Sequence, residues 1–310
     1  MDERRQTGRF APSIYPHAVV GLLVLMLSTV AIASARYFRT TPGAQYVPPA
    51  VAGHGGDNNE AIEGGQQDGA PTLSDLVAFA QEVLANLQTN VRDYRGILLR
   101  RERIAGVLGD EVRMRFKIRH EYRDSQGNLH PFAVYLKFEA PPSAAGREVI
   151  WVRGENDNKL VAHEGGLKGR LLGRMWLDPT GPVAMFGNKY PITEIGLLRM
   201  VETLLERAEQ LDYLRNADIR QYDAVPVGEV PCRLYEIRVP EKGPNRLFHL
   251  AQIYVDTERM IPLKYAAYGW PTTADSPPLL EEEYTYLEVE LNVGLTDMDF
   301  DPNNPGYEFP

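Results

Sequence analysis

The chain has 310 residues, a net charge of −9 and a single cysteine, with 44% hydrophobic and 24% charged residues. This size bounds the fold to one large domain or two small ones. One cysteine excludes an internal disulfide and cysteine-based zinc or iron–sulfur sites. The acidic balance excludes a phosphate-tracking groove as the main function, so we expect no nucleic-acid partner.

The N-terminus carries a predicted export or anchoring segment. Three arginines within the first nine residues precede an uncharged apolar run, residues 18–35. As a helix, these 18 residues would span roughly 27 Å, close to the thickness of a bilayer core. The run ends in the sequence ASA, which also fits a signal-peptidase site after Ala35. Residues 1–39 are therefore predicted to be a cytoplasmic stub followed by a signal peptide or a transmembrane anchor. Both alternatives place the body in the periplasm or on the extracytoplasmic side of the inner membrane.

A linker and a helix follow. Residues 40–70 are rich in Gly, Pro and polar residues, which predicts a disordered tether. The folded domain is predicted to span residues 71–310. It begins with Thr72 as a helix N-cap and Asp75 as its capping-box partner. The spacing of the next apolar residues predicts an amphipathic helix through Leu76, Ala80, Val83, Leu87 and Val91.

The period then changes to two, which predicts strands. One strand alternates apolar residues with a basic outer face formed by Arg113, Arg115, Lys117 and Arg119. Short turns connect it to segments 131–140 and 147–163, so an antiparallel meander is expected. The pattern becomes helical again over residues 191–214. Strands return over residues 231–240, 249–270 and 279–293.

This order predicts an α+β fold. Its sheet is antiparallel and too large to stay flat, so we expect a strongly curved half-open barrel with the helices packed on the concave face. Such barrels commonly hold apolar ligands between sheet and helix.

Four short motifs follow one another in the C-terminal half: Val255-Asp256, Ile261-Pro262, Asn292 and Asp299-Phe300. In this order they resemble the LolA/LolB lipoprotein-carrier superfamily and the related periplasmic sensor RseB. Segments 147–160 and 291–302 resemble, more closely, an uncharacterised bacterial envelope family (domain of unknown function fifteen seventy-one). That resemblance covers roughly residues 72–307. It implies a LolA-like half-barrel that shields acyl chains.

The candidate ligand-binding residues are apolar and aromatic side chains assigned to the inward face of the sheet. They are Met114, Phe116, Phe132, Leu136, Phe138, Trp151, Tyr254 and Tyr265. The plainer interpretation of such a set is a filled core. Residues 163–170 are interpreted as a loop at the barrel mouth. The apolar residues after it, Met175, Trp176 and Phe186, are candidates for a lid.

Three alternating aspartates, Asp297, Asp299 and Asp301, form a weak candidate metal site. A calcium loop requires a glycine where Pro302 stands, and proline cannot adopt the positive φ of that turn. The pattern therefore favours a closing strand, with the aspartates facing water and the residues between them facing the core.

Three functions are consistent with the sequence. No HExxH, GxSxG or phosphate-loop motif occurs, so we predict a non-catalytic envelope protein without a cofactor. Its ligand would be apolar, either a lipid or a lipidated partner. The alternative is a membrane-tethered interaction or sensor module resembling RseB, whose basic face docks anionic lipid or an acidic envelope protein. The third hypothesis is a hydrolase or polysaccharide-active enzyme whose carboxylates the sequence does not pair, and a cluster of acids around one pocket would favour it.

Overall fold

The computed structural model describes residues 70–273 and 275–310. The predicted stub and export segment, and the predicted tether up to residue 69, lie outside this part of the chain. Within the described residues, each helix is too short or too polar to cross a lipid bilayer.

Three helices and fourteen strands make up the described chain. In order they are α1 (Leu73–Asn90), β1 (Asp93–Ile104), β2 (Val107–Leu108), β3 (Val112–Arg119), β4 (Tyr122–Arg123), β5 (Leu129–His130), β6 (Ala133–Ala140), β7 (Glu148–Val152), β8 (Leu160–His163), α2 (Gly166–Leu172), β9 (Met175–Leu177), α3 (Leu197–Gln210), β10 (Asp218–Val227), β11 (Val230–Arg238), β12 (Leu250–Asp256), β13 (Ile261–Gly269) and β14 (Leu279–Leu291). Short 3₁₀ helices occupy Asn156–Asn158, Ile192–Glu194, Asp212–Asn216 and Asp297–Phe300.

One antiparallel sheet dominates the fold. Its strand order is β10-β11-β12-β13-β14-β1-β3-β6-β7-β8-β9, with β2 added beside β1. Seven of the ten neighbouring pairs in this order are consecutive in the chain, because an antiparallel pair can be joined directly without a crossover. The antiparallel pairing of β14 with β1 connects the strands of the C-terminal half of the sequence to those of the N-terminal half. β9 and β10 end the order without pairing with each other, so the sheet stays open and the predicted half-open barrel is confirmed.

Helix α1 begins as the sequence predicts. The Thr72 hydroxyl accepts a hydrogen bond from the Asp75 backbone N–H at 3.2 Å, and the Asp75 carboxylate accepts from the Thr72 backbone N–H at 2.9 Å. This reciprocal capping box satisfies two of the N–H groups that a helix start leaves free. The buried face of α1 carries Leu76, Val83 and Leu87. The predicted amphipathic helix is therefore confirmed.

The main core lies between the concave face of the sheet and the helices. Val83 and Leu87 of α1 and Leu197 and Val201 of α3 share one buried cluster with the inward residues of the strands. The Tyr94 hydroxyl accepts a 2.8 Å hydrogen bond from the Leu197 backbone N–H and so fixes the start of α3 against β1. Both predicted helices thus pack on the concave face.

The C-terminal segment crosses the outer face of the sheet. Leu295 and Phe300 are buried there against Tyr135 of β6 and Ile150 of β7. The strand predicted for this segment is wrong, because Thr296 and Asp299 form a capping box that starts a 3₁₀ helix at Asp297. A 3₁₀ helix has three residues per turn, so successive side chains do not alternate between two faces as they do in a strand. Met298, which the sequence predicts to face the core, is therefore 51% exposed.

An apolar slot and its polar end

A narrow slot separates α1 and α3 from the inward face of β11–β13. It encloses about 70 Å³. Apolar side chains supply almost the whole lining, including Ala80 of α1 and Leu204 and Leu205 of α3. Among the described lining residues, Arg207 is the one that carries a charge, and Tyr265 of β13 adds a hydroxyl.

The helices put apolar residues at the edge of the slot as well as inside it. Val77 and Phe79 of α1 and Leu204 and Ala208 of α3 are half-buried rather than enclosed. An ordinary surface helix keeps its apolar stripe against the core. Here part of the apolar stripe that lines the slot is also partly exposed to solvent.

The slot is small in this conformation. An engineered cavity of about 150 Å³ binds benzene, and ligand pockets commonly measure about 300–1,000 Å³. An acyl chain therefore fits only if α1 and α3 move away from the sheet. Most contacts across the slot are between apolar side chains, which lack directional bonds and tolerate such a shift.

The predicted ligand-binding residues take different positions. Of the eight, Tyr265 lines the slot. Met114, Phe116, Phe132, Leu136, Phe138 and Trp151 are buried in the main core, away from the slot. Tyr254 lies on the other face of β12, because its neighbour Ile253 pairs with Tyr265 and lines the slot, while Tyr254 pairs with Lys264. A ligand-binding role for these residues stays a prediction.

One end of the slot is polar. An Arg207 guanidinium nitrogen donates to the Tyr190 hydroxyl at 3.0 Å, and a second nitrogen reaches the Tyr265 hydroxyl at 3.4 Å. The Tyr190 hydroxyl donates to the buried Glu282 carboxylate at 3.0 Å. Lys189 completes the group with an ion pair of 2.7 Å to Glu282. The polar end therefore ties α3, the segment before it and β14 together.

A second buried carboxylate stands beside the first. Glu102 of β1 is the register partner of Glu282 on β14. It accepts a hydrogen bond of 2.5 Å from the Tyr284 hydroxyl and one of 3.1 Å from the Lys189 backbone N–H. Arg100 lies 3.7 Å away. Three cations (Arg100, Lys189 and Arg207) thus meet two carboxylates, which leaves one formal positive charge at the end of the slot.

Burial governs how these groups ionise. It raises the pKa of Tyr265, with the Glu282 charge adding to the effect, and it raises the pKa of Tyr284 beside Glu102. Burial alone lowers the pKa of Arg207, but Tyr265, Tyr190 and Glu282 outweigh it and raise that pKa. The tyrosines are therefore neutral hydroxyls and Arg207 is a permanent cation. This arrangement suits holding an anionic or polar group at the end of an apolar chain.

The sequence patterns do not identify the residues of the polar end as part of a site. Glu282 is the middle of three consecutive glutamates, a pattern that usually indicates a solvated face. The signal that identifies it is the strand period, since alternation places Glu282 on the same face as the aromatic residues Tyr284 and Tyr286.

The predicted basic face of β3 is present, and each of its four cations forms an ion pair within the chain, so a docking role for it stays a prediction. Arg113 and Arg115 both bind Glu139, at 3.0 and 2.6 Å. Lys117 binds Asp299 at 2.7 Å and Arg119 binds Asp297 at 2.6 Å. Arg119, predicted to face water or a partner, is buried because the C-terminal segment covers it.

Two further sequence expectations concern the aspartates and the lid. The carboxylates of Asp297 and Asp299 form ion pairs with the cations of β3. The Asp301 carboxylate accepts a 2.9 Å hydrogen bond from the Asn303 side-chain amide. Within the described residues, no group of three His, Cys, Asp or Glu side chains is placed to hold a metal ion.

Met175 and Trp176 belong to β9, paired with β8, so they form a sheet edge rather than a lid. Phe186 is 67% exposed in a turn.

These features define a class of protein: an α+β half-barrel with an apolar slot beneath two helices. The model of the family described as Protein of unknown function (DUF1571) matches residues 91–309. The chain belongs to this family, and the resemblance noted in the sequence is confirmed. No curated protein matches the chain.

Several solved structures show a partial likeness. The complex of Pseudomonas aeruginosa MucA and MucB matches with a TM-score of 0.41 and 12% identity, over 73% of this chain and 60% of that one. A putative outer membrane lipoprotein-sorting protein domain from Vibrio parahaemolyticus has a TM-score of 0.35 and 12% identity, over 73% and 96%. A LolA superfamily protein from Nitrosomonas europaea has a TM-score of 0.29 and 9% identity, over 72% and 97%.

Proposed function

We propose that this protein is a non-catalytic binding protein of the cell envelope that holds an apolar chain, from a lipid or a lipidated partner, in the slot. The observation that carries the proposal is the slot itself, with its apolar lining and a single charged residue, Arg207, at one end. The predicted export segment, residues 18–35, supports the location. The hydrolase hypothesis gains no support at the slot, since Glu102 and Glu282, the two buried carboxylates at its polar end, form ion pairs.

The ligand would enter between α1 and α3. Some apolar side chains that line the slot are partly exposed on both helices, so an acyl chain would meet apolar surface as the helices separate. Separation of the helices replaces helix–sheet contacts by ligand–protein contacts of the same apolar kind. The anionic or ester group of the ligand would contact Arg207. The cations there outnumber the carboxylates by one, so the local charge would attract an anion.

A slot-filling substitution tests this function. Ala80→Phe places a ring in the slot, whereas Ala78→Phe adds the same ring on the exposed face of the same helix. Binding of a dansyl-labelled fatty acid is measured by its fluorescence, and lipids extracted from native-purified protein are identified by mass spectrometry. We expect Ala80→Phe to weaken probe binding about tenfold or more, a change of about 1.4 kcal/mol. Ala78→Phe should bind as the unsubstituted protein does.

Thermal unfolding of both variants separates blocked binding from lost folding, because an overpacked core is also destabilising. The proposal is wrong if the unsubstituted protein yields no lipid and binds no probe. It is also wrong if a folded Ala80→Phe variant keeps full affinity.

A further inference from the structure

Helix α2 has its large apolar residues on the outside. Leu171 is 78% exposed and Leu167 is 73% exposed, while Leu172 is also exposed. The residue of α2 that is buried is Gly169. A surface helix normally buries its large apolar side chains. In α2 the arrangement is reversed.

The reversal has a steric cause. A Cβ atom on Gly169 would lie 1.8 Å from the Glu164 carbonyl oxygen, and one on Gly165 would lie 2.3 Å from the Ala145 carbonyl oxygen. Only glycine allows the backbone this close. Gly165, at the start of α2, therefore packs on Ala145, and Gly169 is the helix residue turned inward against Glu164, while the leucines point outward. A rotation that buried Leu171 would turn Gly169 away from Glu164.

Cations alternate with these leucines. Lys168 and Arg170 are exposed, and neither forms an ion pair with any described residue. By contrast Arg174, which follows the helix, donates to the Pro310 carbonyl at 2.8 Å and to Asn303 at 2.9 Å. Two free cations beside three exposed leucines form a local basic and apolar patch on a chain with a net charge of −9.

We propose that this α2 patch (Leu167, Lys168, Arg170, Leu171 and Leu172) docks the protein on the surface of an anionic phospholipid bilayer. The leucines enter the boundary between headgroups and acyl chains, and the two cations contact lipid phosphates. Interfacial helices combine exposed apolar residues such as leucine with Lys and Arg on the polar side. The inference goes beyond the proposed function, because it concerns the outer surface and not the slot.

A bilayer suits the patch better than a protein groove does. Helix-in-groove recognition uses anchors over about two turns, at positions i, i+3, i+4 and i+7. The seven residues of α2 end before the last of these anchors. A bilayer surface has no such length requirement, and its phosphates supply partners for both free cations.

A single fluorophore on the patch tests the docking in the full chain. Leu172→Cys introduces an exposed thiol, and the native Cys232 is buried, so NBD labelling is selective for the new site. Brominated lipids quench the label only where it enters the bilayer, whatever part of the chain first reaches the vesicle. We expect strong quenching in vesicles containing phosphatidylglycerol and severalfold less in phosphatidylcholine alone.

Two comparisons decide the outcome. Lys168→Glu with Arg170→Glu should lower the quenching severalfold in phosphatidylglycerol vesicles. A label at Ala78→Cys, exposed on α1, should stay unquenched. The proposal fails if the patch label is not quenched, if both labels are quenched equally, or if charge reversal changes nothing. Ala80→Phe, which fills the slot, should leave the quenching intact, so this test and that of the proposed function fail independently.

Discussion

The buried guanidinium of Arg119, on β3, donates a 2.6 Å hydrogen bond to the carboxylate of Asp297, 178 residues further along the chain. A second guanidinium nitrogen donates to the Pro131 carbonyl at 3.4 Å. The guanidinium carbon also lies 5.0 Å from the centre of the Phe300 ring, within the range of a cation–π contact. Arg119 therefore fastens the C-terminal segment to the outer face of the sheet.

Asp297→Asn should lower the free energy of unfolding by about 1–2 kcal/mol. The substitution removes the negative charge from a charge-assisted bond, so the buried cation keeps only neutral acceptors and the Phe300 ring as partners. Solvent screening keeps the loss at the low end, since the Asp297 side chain is 77% exposed. Urea denaturation measures the change. The exposed Asp110→Asn is the matched control and should change stability little; equal losses in the two variants would contradict the ion pair's role.

The fold was largely predictable because its elements carry strong local signals. The alternation around Met114 and Phe116 identified β3, and Thr72 with Asp75 marked the start of α1. The C-terminal segment was not predictable in the same way. Asp297 and Asp299 alternate in the sequence whether the backbone is extended or helical, and the hydrogen bonds of Thr296 decide between the two.

The site was less predictable, because its position depends on where the helices cross the sheet. Phe116 and Tyr265 both face inward, yet Phe116 packs in the main core and Tyr265 borders the slot. No local pattern distinguishes them, since the difference arises from contacts between α1, α3 and distant strands. Arg207 likewise looks like an ordinary polar position near the end of a helix until Glu282 is placed beside it.

Glu282→Gln should destabilise the protein by about 3 kcal/mol, near the lower limit for breaking a buried ion pair. The substitution leaves Lys189 and Arg207 facing each other with one carboxylate fewer. The matched control is Glu283→Gln on the opposite face of β14, where a partly exposed pair with Lys264 should contribute about 1 kcal/mol or less. Chemical denaturation of both variants measures the difference. A loss no larger at Glu282 than at Glu283 would show that the polar end does not stabilise the fold.

The thiol of Cys232 should resist alkylation while the protein is folded. Burial raises its pKa to about 12, with the Asp256 charge adding to the effect. At pH 8 the reactive thiolate is then roughly one part in ten thousand of the folded protein. Iodoacetamide should therefore label Cys232 only as fast as the chain unfolds, which mass spectrometry can follow. The introduced thiol of Leu172→Cys should react at once in the same sample, and rapid labelling of Cys232 itself would contradict its burial.

The stability of the protein should fall in mild acid, and His120 should account for part of the loss. Its Nδ1–H donates to the Val91 carbonyl at 2.9 Å, and Nε2 is buried. Burial, the largest effect, lowers the pKa of His120 below its ordinary value.

Because the folded pKa lies below the unfolded pKa of about 6.5, the neutral imidazole contributes its full stability above pH 6.5. That contribution is lost as the pH falls towards the folded pKa, since the unfolded chain binds the proton more readily. His120→Asn removes the titrating group and retains an N–H donor. The free energy of unfolding, measured from pH 8 to pH 5, should therefore fall less steeply in the variant; parallel curves would show that His120 does not control this pH dependence.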